Sequence, residues 1–161
     1  MPDSRRHATS ALRNRTWASG RARGFTLIES LVAVAIAGVL SSIAYPSVEA
    51  QVLRARRSDA LVALMQAQLA EERHRANNAG YGSLADLGLR DTSPASHYRL
   101  QAAVNATGGY DLLASAAGAQ ARDLKCRYLR LSLVDGNLVY ASGADATTAN
   151  GAAANRACWS R

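Results

Sequence analysis

Apolar residues follow three different rhythms along this chain. From Phe25 to Tyr45 they form one nearly unbroken run with a single charge, Glu29. A helix of that length spans about 31 Å, enough for the hydrocarbon core of a bilayer. Small side chains (Ala33, Ala35, Ala37, Gly38, Ser41 and Ser42) are scattered through the run, which suits close helix approach. Pro46 follows, removes a backbone donor and predicts a kink. From 47 to 77 no Gly or Pro occurs, and Val48, Val52, Ala55, Val62, Met65 and Leu69 recur at three- and four-residue steps, widened by Leu61 and Leu64. This predicts an amphipathic helix that packs that stripe, Met65 included, on a sheet, with Arg54, Arg57, Glu72 and Arg73 largely off it. Asn77-Asn78-Ala79-Gly80 supplies stop residues.

Beyond residue 80 the rhythm becomes alternation. Gly80 to Leu89 reads as a loop with a short helical turn. Tyr98 to Ala106 and Tyr110 to Ala116 read as strands joined through Thr107-Gly108-Gly109. Tyr128 to Val134 sets Leu129, Leu131 and Leu133 against Tyr128, Arg130, Ser132 and Val134; Asp135-Gly136-Asn137 is a hairpin turn, and Leu138 to Ser142 returns. The fold class is therefore α+β, with a four-stranded antiparallel sheet over about 98–142. Residues 144–157 are Ala-, Asn- and Thr-rich and are expected to be mobile without a tether.

Charge changes the picture at the N-terminus. The formal net charge is +7, yet Arg5, Arg6, Arg13, Arg15, Arg21 and Arg23 precede the apolar run with only Asp3 to oppose them. The remaining chain carries 13 basic and 11 acidic side chains, a net of +2. The basic flank predicts a cytoplasmic N-terminus and a translocated C-terminal part. A nucleic-acid partner gains little support from +2, because a basic footprint belongs on the folded domain. Arg54, Arg56 and Arg57 suit a solvated helix face, or contact with lipid head groups or an acidic partner. His74 among its charged neighbours reads as solvated, and His97 as structural or surface.

Two cysteines, Cys126 and Cys158, are too few for a zinc site of the usual four ligands. Outside a reducing compartment a disulfide is their natural reading; it would tie the last segment to the sheet and contribute roughly 3–4 kcal/mol in the chain-entropy model. No GxSxG, HExxH or Walker loop is present. Neither an enzyme nor any cofactor or metal is expected.

The apolar run admits three readings: a single-pass anchor, a secretory signal cleaved after Ala44 at Ser42-Ile43-Ala44, or a processed assembly helix. Arg23-Gly24-Phe25-Thr26-Leu27-Ile28-Glu29 before a membrane-length helix resembles the signal of type IV pilins and pseudopilins. The resemblance implies that a prepilin peptidase removes the leader, residues 1–24, between Gly24 and Phe25 and N-methylates Phe25. Residues 25–46 would then be a membrane and assembly helix and 47–161 a globular head. A buried charge needs a partner; Glu29 would supply one to the new amine of Phe25, most simply on a neighbouring subunit. The resemblance further implies the pilin fold, with a disulfide-bounded segment 126–158. Tyr81-Gly82-Ser83-Leu84, Asp123-Leu124-Lys125-Cys126 and Cys158-Trp159 are similar to PilE-like minor pilins, which tend to carry Gly-Thr where this chain has Arg127-Tyr128.

The function so implied is a structural subunit of a type IV pilus, a minor pilin, serving biogenesis, adhesion, twitching motility or DNA uptake. Its partners would be the peptidase, other pilins, the inner-membrane assembly machinery, and the membrane through residues 25–45. It would reside in the inner membrane before assembly and in the extracellular fibre afterwards. A pseudopilin of a type II secretion system and a periplasmic binding protein released at Ala44 are the alternatives.

Overall fold

The structure is a computed structural model that describes residues 24–160, without the side chains of residues 43–46. The leader expected over 1–24 thus lies outside the described residues except for Gly24. A long helix, α1 (Leu27–Asn77), precedes four strands, β1 (Tyr98–Val104), β2 (Tyr110–Ala116), β3 (Tyr128–Val134) and β4 (Asn137–Gly143). A 3-10 turn, Gly118–Arg122, lies between β2 and β3, and a short helix, α2 (Ala152–Trp159), ends the chain. The chain divides into two compact units, Met1–Val39 and Leu40–Arg161.

In the second unit the strands form one antiparallel sheet in the order β1-β2-β3-β4. β2 and β3 have the expected limits. β1 stops two residues early because Asn105 turns the chain: its Oδ1 accepts from the Thr107 and Gly109 amides at 3.1 and 3.0 Å, and its Nδ2 donates to the Leu133 carbonyl at 2.8 Å. The hairpin between β3 and β4 is made by Asp135 and Gly136, at φ 49° and 77°. That pair of left-handed residues is the turn whose twist matches the strands it joins.

The core lies between α1 and one sheet face. Ala60, Leu61, Ala63, Leu64 and Ala67 pack with Tyr98, Leu100, Tyr110, Leu112, Ala114, Leu129 and Leu131. This corrects the expected helix face. Val48, Val52, Val62, Met65 and Leu69 are all exposed, Met65 by 52% and Leu69 by 57%. The packed face lies on the opposite side of the helix. Of the expected stripe Leu61 and Leu64 do reach the core; the rest of the packed face uses alanines, which let the helix approach the sheet but carry a weak hydropathy signal, and polar residues whose partners lie far along the chain.

Three such residues clamp α1. Arg57 makes a two-pronged ion pair with Asp123, Nε to Oδ2 at 2.6 Å and Nη2 to Oδ1 at 2.9 Å, and also donates to the Ala157 carbonyl at 3.1 Å. Asp59 accepts from the Ser93 hydroxyl at 2.5 Å and from the amides of Ala95 and His97 at 2.9 and 3.2 Å, which fixes the entry to β1. Glu71, fully buried, accepts from the Gly82 amide at 2.9 Å. Gly82 must be glycine-sized, since a Cβ there would come within 2.9 Å of Asp86 Cβ and 3.3 Å of His74 Nε2.

The Cys126–Cys158 disulfide is formed and buried. The segment expected to be mobile contains α2, held by that bridge and by Trp159, whose indole donates to the Ala141 carbonyl at 3.2 Å and meets Tyr140 edge-on. The run Ala152-Ala153-Ala154 is good helix former, so about two anchored turns suffice where hydropathy gives little sign.

Candidate functional site

In the first unit Phe25 precedes α1 and is 82% exposed. Thr26, given no role by the sequence reading, forms a reciprocal cap with Glu29. The Glu29 amide donates to Thr26 Oγ1 at 3.2 Å, and the Thr26 amide points to Glu29 Oε2 at 3.5 Å. The Thr-x-x-Glu spacing is the sequence signature of this capping box. It holds the Glu29 carboxylate back toward the N-terminal end of the helix, one residue from Phe25, where the helix dipole also favours negative charge. Helical backbone continues through Pro46, whose side chain, and with it the expected kink, lies outside the described residues. Among the described residues no single helix is long and apolar enough to cross a membrane; Leu27–Ser42 and Ser47–Asn77 pass only as a pair.

In the second unit the cations sort by how they are held. Arg57 leaves the expected exposed cluster with Arg54 and Arg56, because its pairing with Asp123 makes it structural. Arg122 pairs with Glu49 at 2.9 Å, and Arg99 lies 3.6 Å from Asp91. Lys125, Arg127 and Arg130 are different. Lys125 is exposed. Arg127 Nε donates to the Ala121 carbonyl at 3.0 Å, and Arg130 Nη2 to the Ala146 carbonyl at 2.5 Å. Neutral carbonyls fix these two guanidinium groups in place and leave their charge uncancelled. The stretch from Arg122 to Arg130 contains one acid, Asp123, and Arg57 already occupies it. The whole-chain charge conceals this strip. Asp123 does not offset the strip, because its carboxylate is held by a residue 66 positions away.

Beside the strip a cleft of about 700 Å³ is lined by Arg54, Arg57, Ser58, Lys125, Cys158 and Ser160. His97 is half-buried at the start of β1, and half-buried His74 flanks Gly82. Among the described residues no three His, Cys, Asp or Glu side chains gather as metal ligands. Tyr98 is fully buried; burial foremost pushes its hydroxyl up to about 12, and Gln120 Nε2 lies 3.0 Å from it. It is a packing residue.

The family model described as type IV minor pilin ComP, DNA uptake sequence receptor, matches residues 46–130, more than half of the chain. The chain belongs to this minor pilin family. The prokaryotic N-terminal methylation motif matches residues 19–45 immediately before it. No curated protein matches the chain. The minor pilin is thus a type IV pilus subunit with the α+β layout expected of it, and neither the pseudopilin nor the Ala44-cleaved reading is favoured. Its family is structural rather than enzymatic. The methylation motif implies an N-terminal membrane anchor, processing by a prepilin peptidase and assembly with other pilins. The matched region ends at Arg130, the last residue of the basic strip.

Proposed function

We propose that this minor pilin binds DNA at the surface of a type IV pilus through Lys125, Arg127 and Arg130, in support of DNA uptake. The match over residues 46–130 to a family described as a DNA uptake sequence receptor carries the reading. The uncancelled cations at the start of β3 supply the chemistry, since phosphate contacts dominate DNA affinity.

The remaining parts of the molecule deliver that surface. The peptidase cuts between Gly24 and Phe25 and methylates Phe25. Residues 25–45 then hold the subunit in the inner membrane, N-terminus cytoplasmic and head periplasmic, until assembly moves the helix into the fibre. Glu29, oriented by Thr26, balances the new amine of Phe25, and Pro46 kinks the helix where the apolar run ends.

The test is DNA binding by the full chain in detergent across a salt series. Replacing Lys125 and Arg130 by Gln is expected to weaken binding of all sequences and to reduce the slope of log affinity against log salt by about one per lost contact. An unchanged slope would remove the strip from the interface. N-terminal sequencing checks processing: methylated Phe25 is expected, and Tyr45 would overturn the assembly reading. Glu29→Ala is expected to be processed yet poorly incorporated into fibres.

A further inference from the structure

On the solvent face of the sheet, opposite the core, register places Arg99, Ser115 and Tyr128 in one row and Gln101, Leu113 and Arg130 in the next. Tyr128 therefore lies about 7 Å along β3 from Arg130 and about 10 Å across the sheet from Arg99. Its neighbour on β2 is the small Ser115, and on β4 it faces Gly143, so no large side chain stands beside it in its own row. Its hydroxyl forms no hydrogen bond among the described residues. The ring is half-buried and contributes nothing to the core.

We infer that Tyr128 is the salt-insensitive contact of the DNA surface, its ring lying against the apolar face of a nucleoside while Arg130, on the same sheet face, holds a phosphate. The inference rests on the DNA reading of the strip. An aromatic side chain set among cations is the arrangement that combines stacking with backbone tracking in sequence-tolerant nucleic-acid binding. Ion pairing weakens steeply with salt, whereas contact with a base or deoxyribose does not. The two components can therefore be measured separately.

The experiment uses the full chain in detergent, with a single-stranded oligothymidylate and a hairpin-capped duplex as probes. Tyr128→Thr keeps a strand-forming residue, and Tyr128→Phe keeps the ring. Tyr128→Thr is expected to lose about tenfold in affinity at every salt concentration, with the salt slope unchanged, and Tyr128→Phe to retain wild-type affinity. A loss confined to the single strand assigns the contact to an unstacked base; an equal loss on the duplex assigns it to deoxyribose. Wild-type affinity of Tyr128→Thr on both probes, with an unshifted melting temperature, overturns the inference and leaves the cation strip standing. Failure of the wild-type chain to bind either probe overturns both. Should Tyr128→Thr melt early, Tyr128→Phe decides: a loss equal to that of Tyr128→Thr would mean that the hydroxyl, not the ring, makes the contact, and the inference fails.

Discussion

Between Phe25 and Leu40 every large apolar side chain is exposed, from Val32 at 48% to Leu27 at 83%. In the head, Leu64, Leu112 and Leu129 are at most 1% exposed. Burying one such side chain is worth roughly 1.5–3 kcal/mol, so the first segment forgoes in isolation what the head obtains from its own sheet. It has to be covered by lipid or by other helices. The outward stripe of α1 (Val48, Val52, Val62, Met65 and Leu69) behaves like the first segment although it belongs to the second unit. The division between surfaces made for other molecules and surfaces made for the fold therefore runs lengthwise along α1 as well as across it near Pro46.

The largest expected effect lies where α1 is locked to the head. Arg57 and Asp123 are 13% and 6% exposed. Replacing Arg57 by Ala leaves a buried carboxylate without its cation, which costs about 3–5 kcal/mol. Denaturant unfolding of the full chain in detergent measures it, with Glu29→Ala as the contrast. That substitution lies in the first unit and is expected to leave head stability within about 0.5 kcal/mol. Equal destabilisation by the two variants would contradict the separation of roles.

The legible parts of this molecule were those with a local signal. The alternation of Leu129, Leu131 and Leu133, the Asp135-Gly136 turn and the Gly-Phe-x-x-x-Glu start of the apolar run each stand within a few residues of sequence. The face of α1 was misread because helical periodicity ranks positions by hydropathy. The contact face mixes alanines with Arg57, Asp59 and Glu71, whose value depends on Asp123, Ser93 and Gly82. Those partners are 66, 34 and 11 residues away. The basic strip is hidden for the same reason: whether Asp123 offsets it depends on Arg57, 66 residues away. Helix α2 escaped notice because an alanine-rich segment of this length is helical only when something anchors it, and the anchors are Cys158 and Trp159.

Adjacent residues on α1 provide a second test of the lengthwise division. Leu64 is 1% exposed and Met65 is 52% exposed. Leu64→Ala is expected to cost about 2–5 kcal/mol. Met65→Ser, which removes a similar apolar side chain, is expected to leave the isolated subunit within about 0.5 kcal/mol of wild type. Its effect should appear instead as reduced recovery of the subunit in sheared fibres. If Met65→Ser destabilises the subunit as Leu64→Ala does, the stripe is part of the fold and not a surface for neighbouring molecules.

The smallest effect concerns Glu71, a polar residue that the head buries at a cost. One oxygen accepts from the Gly82 amide, and the other, Oε1, has no partner among the described residues. Burial raises its carboxyl above the ordinary 4.5, against the Gly82 hydrogen bond and nearby His74, while Glu72 and Asp86 add to the rise. The folded state therefore holds this proton more tightly than the unfolded chain does. The stability linked to it is fully present below the ordinary value and is lost as pH rises through the raised one. Asp86 and Asp145 work the other way: hydrogen bonds from Ser83 and Thr147 lower their carboxyls, so the stability linked to them is lost as pH falls. The wild-type curve alone mixes these contributions. Glu71→Gln keeps an oxygen for the Gly82 amide and cannot ionise, so the difference between the two curves isolates Glu71. As pH rises from below about 4.5, wild type is expected to lose ground to the variant until the Glu71 carboxyl has ionised in the folded state. Parallel unfolding curves would mean that the Glu71 carboxylate finds a partner when it ionises, and that the segment carrying Gly82 opens to provide it.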